Sequence, residues 1–243
     1  LLTKVGVYVM YRFFTLFFIQ DTQFWHTTLL VMAGFTMVIG GMAASAHYDA
    51  RKILSYHIIS QIGYMMMGLG IHTPLAIAGG IFFMVHNMLA KTTTFFVAGI
   101  IHKVKGTFYL KDVGGMINSH PWVAVLFLVP AFALAGIPPI SGFFAKFMLL
   151  KSGFENENYI ITAVAILTSM LTLYSMIKIW NEAFLKKDPV STSSSKHVPV
   201  SFVETIPLVL LGAGSILMGV FAQEFINLTS LAAEQLLNPE TYS

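Results

Sequence analysis

Seven stretches of this chain are apolar for about the length a helix needs to cross a bilayer, and that repetition leaves few folds open. A crossing takes about 20 predominantly apolar residues at about 1.5 Å rise each. The stretches run over 1–19, 26–46, 53–72, 75–101, 121–150, 158–182 and 203–222. Each is expected to be helical, because a segment in lipid satisfies its backbone groups internally unless a barrel closes. Strand-type alternation with a polar face is absent from them. Only 10% of the residues are charged, against about 25% in soluble domains, too few to cover a globule in water. An all-α, polytopic membrane helix bundle is therefore the expected fold. The apolar run is already under way at Leu1, without an initiator methionine or signal-peptide layout, so further sequence is expected upstream.

The loops test this parse independently, since Lys and Arg gather on the cytoplasmic side of a membrane protein. The second loop carries Arg51 and Lys52, the fourth Lys103, Lys105 and Lys111, and the sixth Lys186, Lys187 and Lys196. The first and third loops and the tail after residue 222 carry none, and the fifth has only Lys151, beside Glu155 and Glu157. Eight basic residues against one is the alternation that seven crossings produce. It predicts a multi-pass protein of a prokaryotic plasma membrane, with its C-terminus outside. Residues 1–222 then form the membrane domain and 223–243 a short extracytoplasmic tail. Within that tail, Phe225–Leu237 has apolar residues at helical spacing suited to the membrane interface. The sixth loop, with Ser191-Thr192-Ser193-Ser194-Ser195, reads as a polar linker.

Against that background the deep charges stand out. A lysine at the centre of a membrane helix costs about 2.5–3.5 kcal/mol on insertion scales, so an intramembrane ionisable residue is first of all a functional candidate. Lys4, Lys91 and Lys146 lie well inside spans, and His57 and His86 join them. Arg12, Lys178 and Glu182 sit nearer segment ends, where snorkelling explains them. No Asp or Glu lies in the middle of any span, so the deep lysines need partners from outside this sequence or spend time neutral. Burial favours the neutral amine, and a lysine poised between two states can pass a proton on. Arginine could not.

Two local patterns sharpen the candidates. Gly136-Ile137-Pro138-Pro139-Ile140-Ser141-Gly142 interrupts the stretch 121–150, and two prolines remove two donors and displace carbonyls a turn earlier. Such breaks survive in membranes where they are buried in protein or line a watery cavity. Lys146 follows by about two turns. In His86-Asn87-Met88-Leu89-Ala90-Lys91, positions 87 and 91 share a helix face while 86 and 91 are about 140° apart. Asn87 and Lys91 are thus expected on one polar stripe, with His86 turned partly away. Met65-Met66-Met67 reads as core filling rather than a metal site, and Gly40-Gly41 and Gly79-Gly80 as close helix contacts.

Several classes of function drop out. A net charge of +3 with scattered basic residues gives no footing for nucleic acid, and the absence of cysteine removes disulfides, thiolate metal sites and cysteine nucleophiles. No phosphate loop, zinc spacing or nucleophile motif is present. No cofactor and no metal are called for, and transport rather than enzymatic chemistry is expected.

The run Asp49-Ala50-Arg51-Lys52-Ile53-Leu54-Ser55-Tyr56-His57-Ile58-Ile59-Ser60-Gln61-Ile62-Gly63-Tyr64 resembles the signature of the proton-conducting membrane transporters. That family includes the L, M and N subunits of complex I and the A and D subunits of Mrp-type Na+/H+ antiporters. Leu1-Leu2-Thr3-Lys4-Val5-Gly6-Val7-Tyr8, Val85-His86-Asn87-Met88-Leu89-Ala90-Lys91-Thr92 and Gly136-Ile137-Pro138-Pro139-Ile140-Ser141-Gly142-Phe143 are most similar to the D-type subunits. The resemblance covers nearly the whole chain apart from the sixth loop and tail. It implies the C-terminal half of a fourteen-helix subunit built from two inverted five-helix bundles with flanking helices. It also implies a subunit of a multisubunit cation/proton antiporter that exchanges Na+ for protons, with other membrane subunits and the lipid bilayer as partners. Lys4 would be the central-axis lysine, Lys91 with its histidine neighbour would continue the axis, and Lys146 would be the terminal lysine on the broken helix. The family's glutamate–lysine pair would lie upstream. Relatives often carry histidine where Asn87 stands, and Asn cannot take a proton, so His86 or water has to cover that step. Two other functions fit the same residues: a proton-pumping subunit of complex I or a membrane-bound hydrogenase, and a scaffold whose polar residues only join helices.

Overall fold

The structure, a computed structural model, describes residues 2–18, 21–188 and 200–238. The serine-rich part of the sixth loop, with Lys196, lies outside the described residues. The helices are α1 (Leu2–Leu16), α2 (Thr22–Ala46), α3 (Ala50–Ile71), α4 (Pro74–Lys105), a four-residue turn α5 (Met116–Ser119), α6 (Pro121–Ala135), α7 (Ser141–Glu155), α8 (Tyr159–Trp180), α9 (Phe202–Val220) and α10 (Ala222–Leu237). A π-helical turn, Asn181–Leu185, extends α8. Among the described residues there is no strand, only an isolated bridge between Asp49 and Tyr109.

Four helical stretches are long and apolar enough on their own to cross a bilayer: Thr22–Ala46, Pro74–Lys105, Tyr159–Leu185 and Val203–Val220. The remaining expected crossings fall on α1, on α3 and on the pair α6–α7, which divides the stretch 121–150 as the prolines require. The helix ends carry the residues that set them. Asp49 is extended (φ −85°, ψ 119°) and its side chain accepts from the amides of Arg51 (2.9 Å) and Lys52 (3.3 Å), capping α3. Pro74 opens α4 behind Thr73, whose hydroxyl accepts from the Ala76 amide, and Gly106 closes it in the left-handed conformation. Proline at the first position costs no hydrogen bond, because that amide has no partner within the helix.

Even-numbered and odd-numbered loops gather at opposite ends of the bundle. At one end the Ala50 amide donates to Phe108 O and the Leu110 amide to Tyr48 O, joining the second and fourth loops. The Gly115 amide donates to Lys186 O and Lys186 Nζ to Lys111 O, which brings in the sixth. Lys105–Asp188 (2.5 Å) and Lys103–Glu204 (2.7 Å) are ion pairs of the same end. At the other end His26 stacks on His72, and the hydroxyls of Thr73 and Ser152 meet at 2.7 Å. The basic loops therefore share one face, as the charge alternation predicts.

Between the ends the helices pack closely. A Cβ on Gly40 would lie 2.5 Å from the Ser60 amide nitrogen, and one on Gly80 would meet the Tyr11 hydroxyl. That hydroxyl donates to Met65 O at 2.6 Å, pinning α1 to α3. Where lipid is as apolar as the side chains, small residues and such hydrogen bonds hold helices together. Met65 and Met67 are fully buried core residues, as expected. A Cβ on Gly219, near the end of α9, would lie 2.4 Å from Pro139 O, so α9 abuts the break between α6 and α7. From there α10 packs against α4 and α1, burying Ala222, Thr229, Ala233 and Leu236.

Candidate functional site

All five ionisable candidates face the protein interior. Lys4, Lys91 and Lys146 are 4%, 4% and 5% exposed, and His57 and His86 are fully buried. Their environments nevertheless differ in kind.

Lys146 is fully coordinated. Side chains on a helix tilt toward its N-terminus, so Lys146, five residues into α7, reaches back across the break. Its ammonium donates to Leu134 O (2.8 Å), Ala135 O (3.0 Å) and Ser169 Oγ (2.7 Å), and lies 5.3 Å from the centre of the Tyr64 ring. The last four carbonyls of a helix lack intrahelical partners. In α6 the amides of Gly136 and Ile137 cover Phe132 O, Gly136 covers Ala133 O, and Lys146 takes the remaining two. A helix C-terminus carries roughly half a negative charge, so the broken helix supplies the counter-charge that no carboxylate in the span provides. Pro138 and Pro139 occupy the break and are joined by a cis peptide. The glycines flanking it are required sterically. Gly136 has φ +86° and a Cβ there would lie 2.8 Å from Lys146 Cδ, while a Cβ on Gly142 would overlap Ala133 O.

His86 belongs to the same knot from the other side. Its Nδ1 lies 2.9 Å from Ser141 Oγ, the first residue of α7, and Ser141 lies 3.2 Å from Ser215 Oγ on α9. Its Nε2 has no protein partner among the described residues.

Lys91 is the opposite of Lys146. Its Nζ and both amide atoms of Asn87 are buried without a protein partner among the described residues. The shared stripe of Asn87 and Lys91 is thus present, and it faces neither an acid nor a carbonyl. Charge links it to its neighbours all the same. Lys91 lies within electrostatic range of Lys4 and Lys146, and His86 within range of Lys146 and Lys91. His57 on α3 lies within range of Lys91, Lys146 and Lys178. Its Nε2 is 2.7 Å from Ser175 Oγ on α8.

Residues 1–172 match the family described as NADH:quinone oxidoreductase/Mrp antiporter, TM. The chain belongs to this family. It is 46% identical over 242 residues to the D-type subunit of the Na(+)/H(+) antiporter of Alkalihalophilus pseudofirmus and 36% identical to its counterpart in Bacillus subtilis, covering all of this chain and 49% of each relative. It superposes on a chain of the Mrp complex from Dietzia sp. DQ12-45-1b with a TM-score of 0.90 at 29% identity, covering 99% of this chain and 52% of that one. Respiratory complex I from Thermus thermophilus shares the fold, with a TM-score of 0.82 at 23% identity over 96% of this chain and 50% of the other. The chain thus spans about half the length of the relatives it matches.

Several polar partners were not singled out by sequence. Ser169 and Ser141 touch the candidates directly and Ser215 reaches them through Ser141; a serine in a largely apolar run cannot be told by sequence from a hydroxyl bonded to its own helix. Thr168, Thr172 and Ser175 could have been read, because their i, i+4, i+7 spacing puts three hydroxyls on one face of α8. Lys178 is 8% exposed and donates to Ser45 O (2.5 Å) and His47 O (2.6 Å) at the end of α2. Snorkelling accounts for its place near the basic end but not for those partners.

Proposed function

We propose that this chain is the C-terminal half of a proton-conducting membrane subunit of a multisubunit Na+/H+ antiporter. Protons pass along Lys4, Lys91, His86 and Lys146, with His57 beside them. The observation that carries the reading is the burial of three lysines, Lys4, Lys91 and Lys146, in one bundle, the last of them seated on the carbonyls of a broken helix. Lys146 has a built seat for the protonated state. Lys91, Asn87 and His86 Nε2 hold buried donors and acceptors that no protein group among the described residues occupies, and buried polar groups of that kind are satisfied by water. Ordered water then carries protons across the step that Asn87 cannot make.

Names of the relatives support the cation as Na+ and the partners as the other membrane subunits of an Mrp-type complex. With the basic face toward the cytoplasm, the complex sits in a prokaryotic plasma membrane and the C-terminus lies outside. The test is cation-driven proton flux in sealed everted vesicles carrying the complete complex. Lys146→Ala is expected to lower flux by about 10²-fold, the usual worth of a positioned proton donor. Undiminished flux would remove Lys146 from the path.

A further inference from the structure

The contact between α3 and α8 is a continuous polar seam that transfer along the lysine row does not use. Its rungs pair in antiparallel register. Tyr64 donates to Ala165 O, Gln61 Nε2 to Thr172 Oγ1 (3.5 Å), and His57 Nε2 lies 2.7 Å from Ser175 Oγ. One end of the seam is the Lys146 site, where Ser169 of α8 and Tyr64 of α3 meet the ammonium. The other end is Lys178, one turn beyond Ser175, on the terminal carbonyls of α2. There His47, whose carbonyl holds Lys178, also lines a cleft of about 460 Å³ at the basic end, with Asp49, Arg51, Lys52, Ser55 and Tyr56.

Helix adhesion alone does not account for the seam. The α8 hydroxyls are already satisfied by their own helix: Thr168 donates to Val164 O, Thr172 to Thr168 O, and Ser175 to Leu171 O. Polar residues serving as glue would close the opposite side as well, yet His57 Nδ1, Ser60 Oγ and Gln61 Oε1 have no protein partner among the described residues. Because Ser175 donates to Leu171 O, its oxygen accepts from His57, which places the ring proton on Nε2 and a lone pair on Nδ1.

We propose that the α3–α8 seam is a second proton branch, joining Lys146 at the helix break to Lys178 at the basic end, with His57 Nδ1 as its exchanging atom. A hydronium-borne proton adds to Nδ1, giving an imidazolium and a water. Its loss from the same nitrogen restores the starting tautomer. Ser175 is a positioning residue, since its oxygen keeps the other proton on Nε2 throughout. Lys178 passes protons between the cleft and the seam. This branch rests on the proton-conducting role of Lys146 proposed above.

The test uses the full-length subunit in its assembled complex in everted vesicles, comparing Lys146→Ala, His57→Gln, Lys178→Met and Lys178→Arg. His57→Gln keeps a donor for Ser175 but takes no proton, and Lys178→Arg keeps the charge and the carbonyl contacts but cannot release one. Both are expected to lower flux about tenfold or more while the complex assembles. Wild-type flux in His57→Gln, or flux restored in Lys178→Arg after loss in Lys178→Met, would overturn the branch and leave Lys178 a structural anchor. If His57→Gln does not assemble, Ser175→Ala decides, because it removes only the Nε2 partner: reduced flux supports the branch and unchanged flux overturns it. A silent Lys146→Ala would instead defeat the proposed function, whereas loss in Lys146→Ala with wild-type seam variants defeats the branch alone.

Discussion

Lys146 and Lys91 are the same residue at almost the same exposure, on neighbouring helices of one bundle, yet one is saturated with partners and the other has none among the described residues. Lys146 donates to three oxygens, two of them freed by the end of α6. Lys91 and the Asn87 amide one turn before it meet no protein donor or acceptor among the described residues. A buried charge is costly unless hydrogen-bonded and balanced, so a lysine in a membrane needs either a seat or water. The bundle provides a seat for Lys146 and, in the proposed path, leaves Lys91 to water. A path built from a seat and a wet station has a place for a proton to rest and a place from which it readily leaves.

The sharpest way to break this comparison is to replace each lysine by methionine, which keeps length and removes the charge and the donors. In both cases proton flux is expected to fall by about 10²-fold. Stability should separate them. Lys146→Met strands Leu134 O, whereas Ala135 O keeps the Ser169 hydroxyl (3.2 Å), and a buried carbonyl left unsatisfied costs about 1–3 kcal/mol. Lys91→Met strands no group among the described residues and is expected to be neutral or stabilising. Thermal denaturation of the detergent-solubilised complex measures both. Equal losses of stability in the two variants would show that Lys91 has a seat of its own.

The seat can also be attacked without touching the lysine. Gly142→Ala drives a methyl into Ala133 O across the break, an overlap with backbone rather than with a yielding side chain. Overpacking of this kind costs about 1–3 kcal/mol. It should part the end of α6 from the start of α7, so flux should fall along with thermal stability although every ionisable residue remains. Gly99→Ala on α4, where a Cβ would meet nothing within 4 Å, is the matched control and is expected to leave both unchanged.

Much of this was legible in the sequence, and the part that was not has a physical reason. Hydropathy and loop charge located the crossings because lipid enforces helices and loop charge tracks the membrane face. Pro138-Pro139 marked the break because proline removes amides wherever it stands. The cost of a buried lysine flagged Lys146, but the sequence offered no carboxylate for it, and a counter-charge made of carbonyls is invisible to any search for acidic residues. Ser169 escaped for a similar reason, since only the packing of α8 against the break distinguishes it from its apolar neighbours. Lys178 lies near a segment end, where a long side chain can turn out to the interface or in to a neighbouring helix. Composition does not choose between those two, whereas the terminal carbonyls of α2 do.

A third setting, a charge with water at hand, calibrates the other two and carries the smallest expected effect. Asp49 caps α3 at the basic end. Partial burial pushes its carboxyl up, but the Arg51 side chain, the amides of Lys52 and Arg51 and the Arg51 charge outweigh that and hold it below its ordinary value. A carboxyl held low in the folded protein stabilises it at all pH values above the unfolded value of about 3.9. That contribution is lost as pH falls through the lower, folded value. Asp49→Ala should therefore cost about 1 kcal/mol near neutrality, the usual worth of an N-cap, and progressively less in acid. Asp49→Asn keeps the cap without the charge, so its stability relative to wild type should be level down to about pH 4 and rise below it. Such acid dependence is what a charge partnered at the edge of water displays. A wild-type curve that ran parallel to Asp49→Asn throughout would mean that the carboxylate contributes only its hydrogen bonds, and that the contrast among these sites is one of hydrogen-bond geometry rather than of charge.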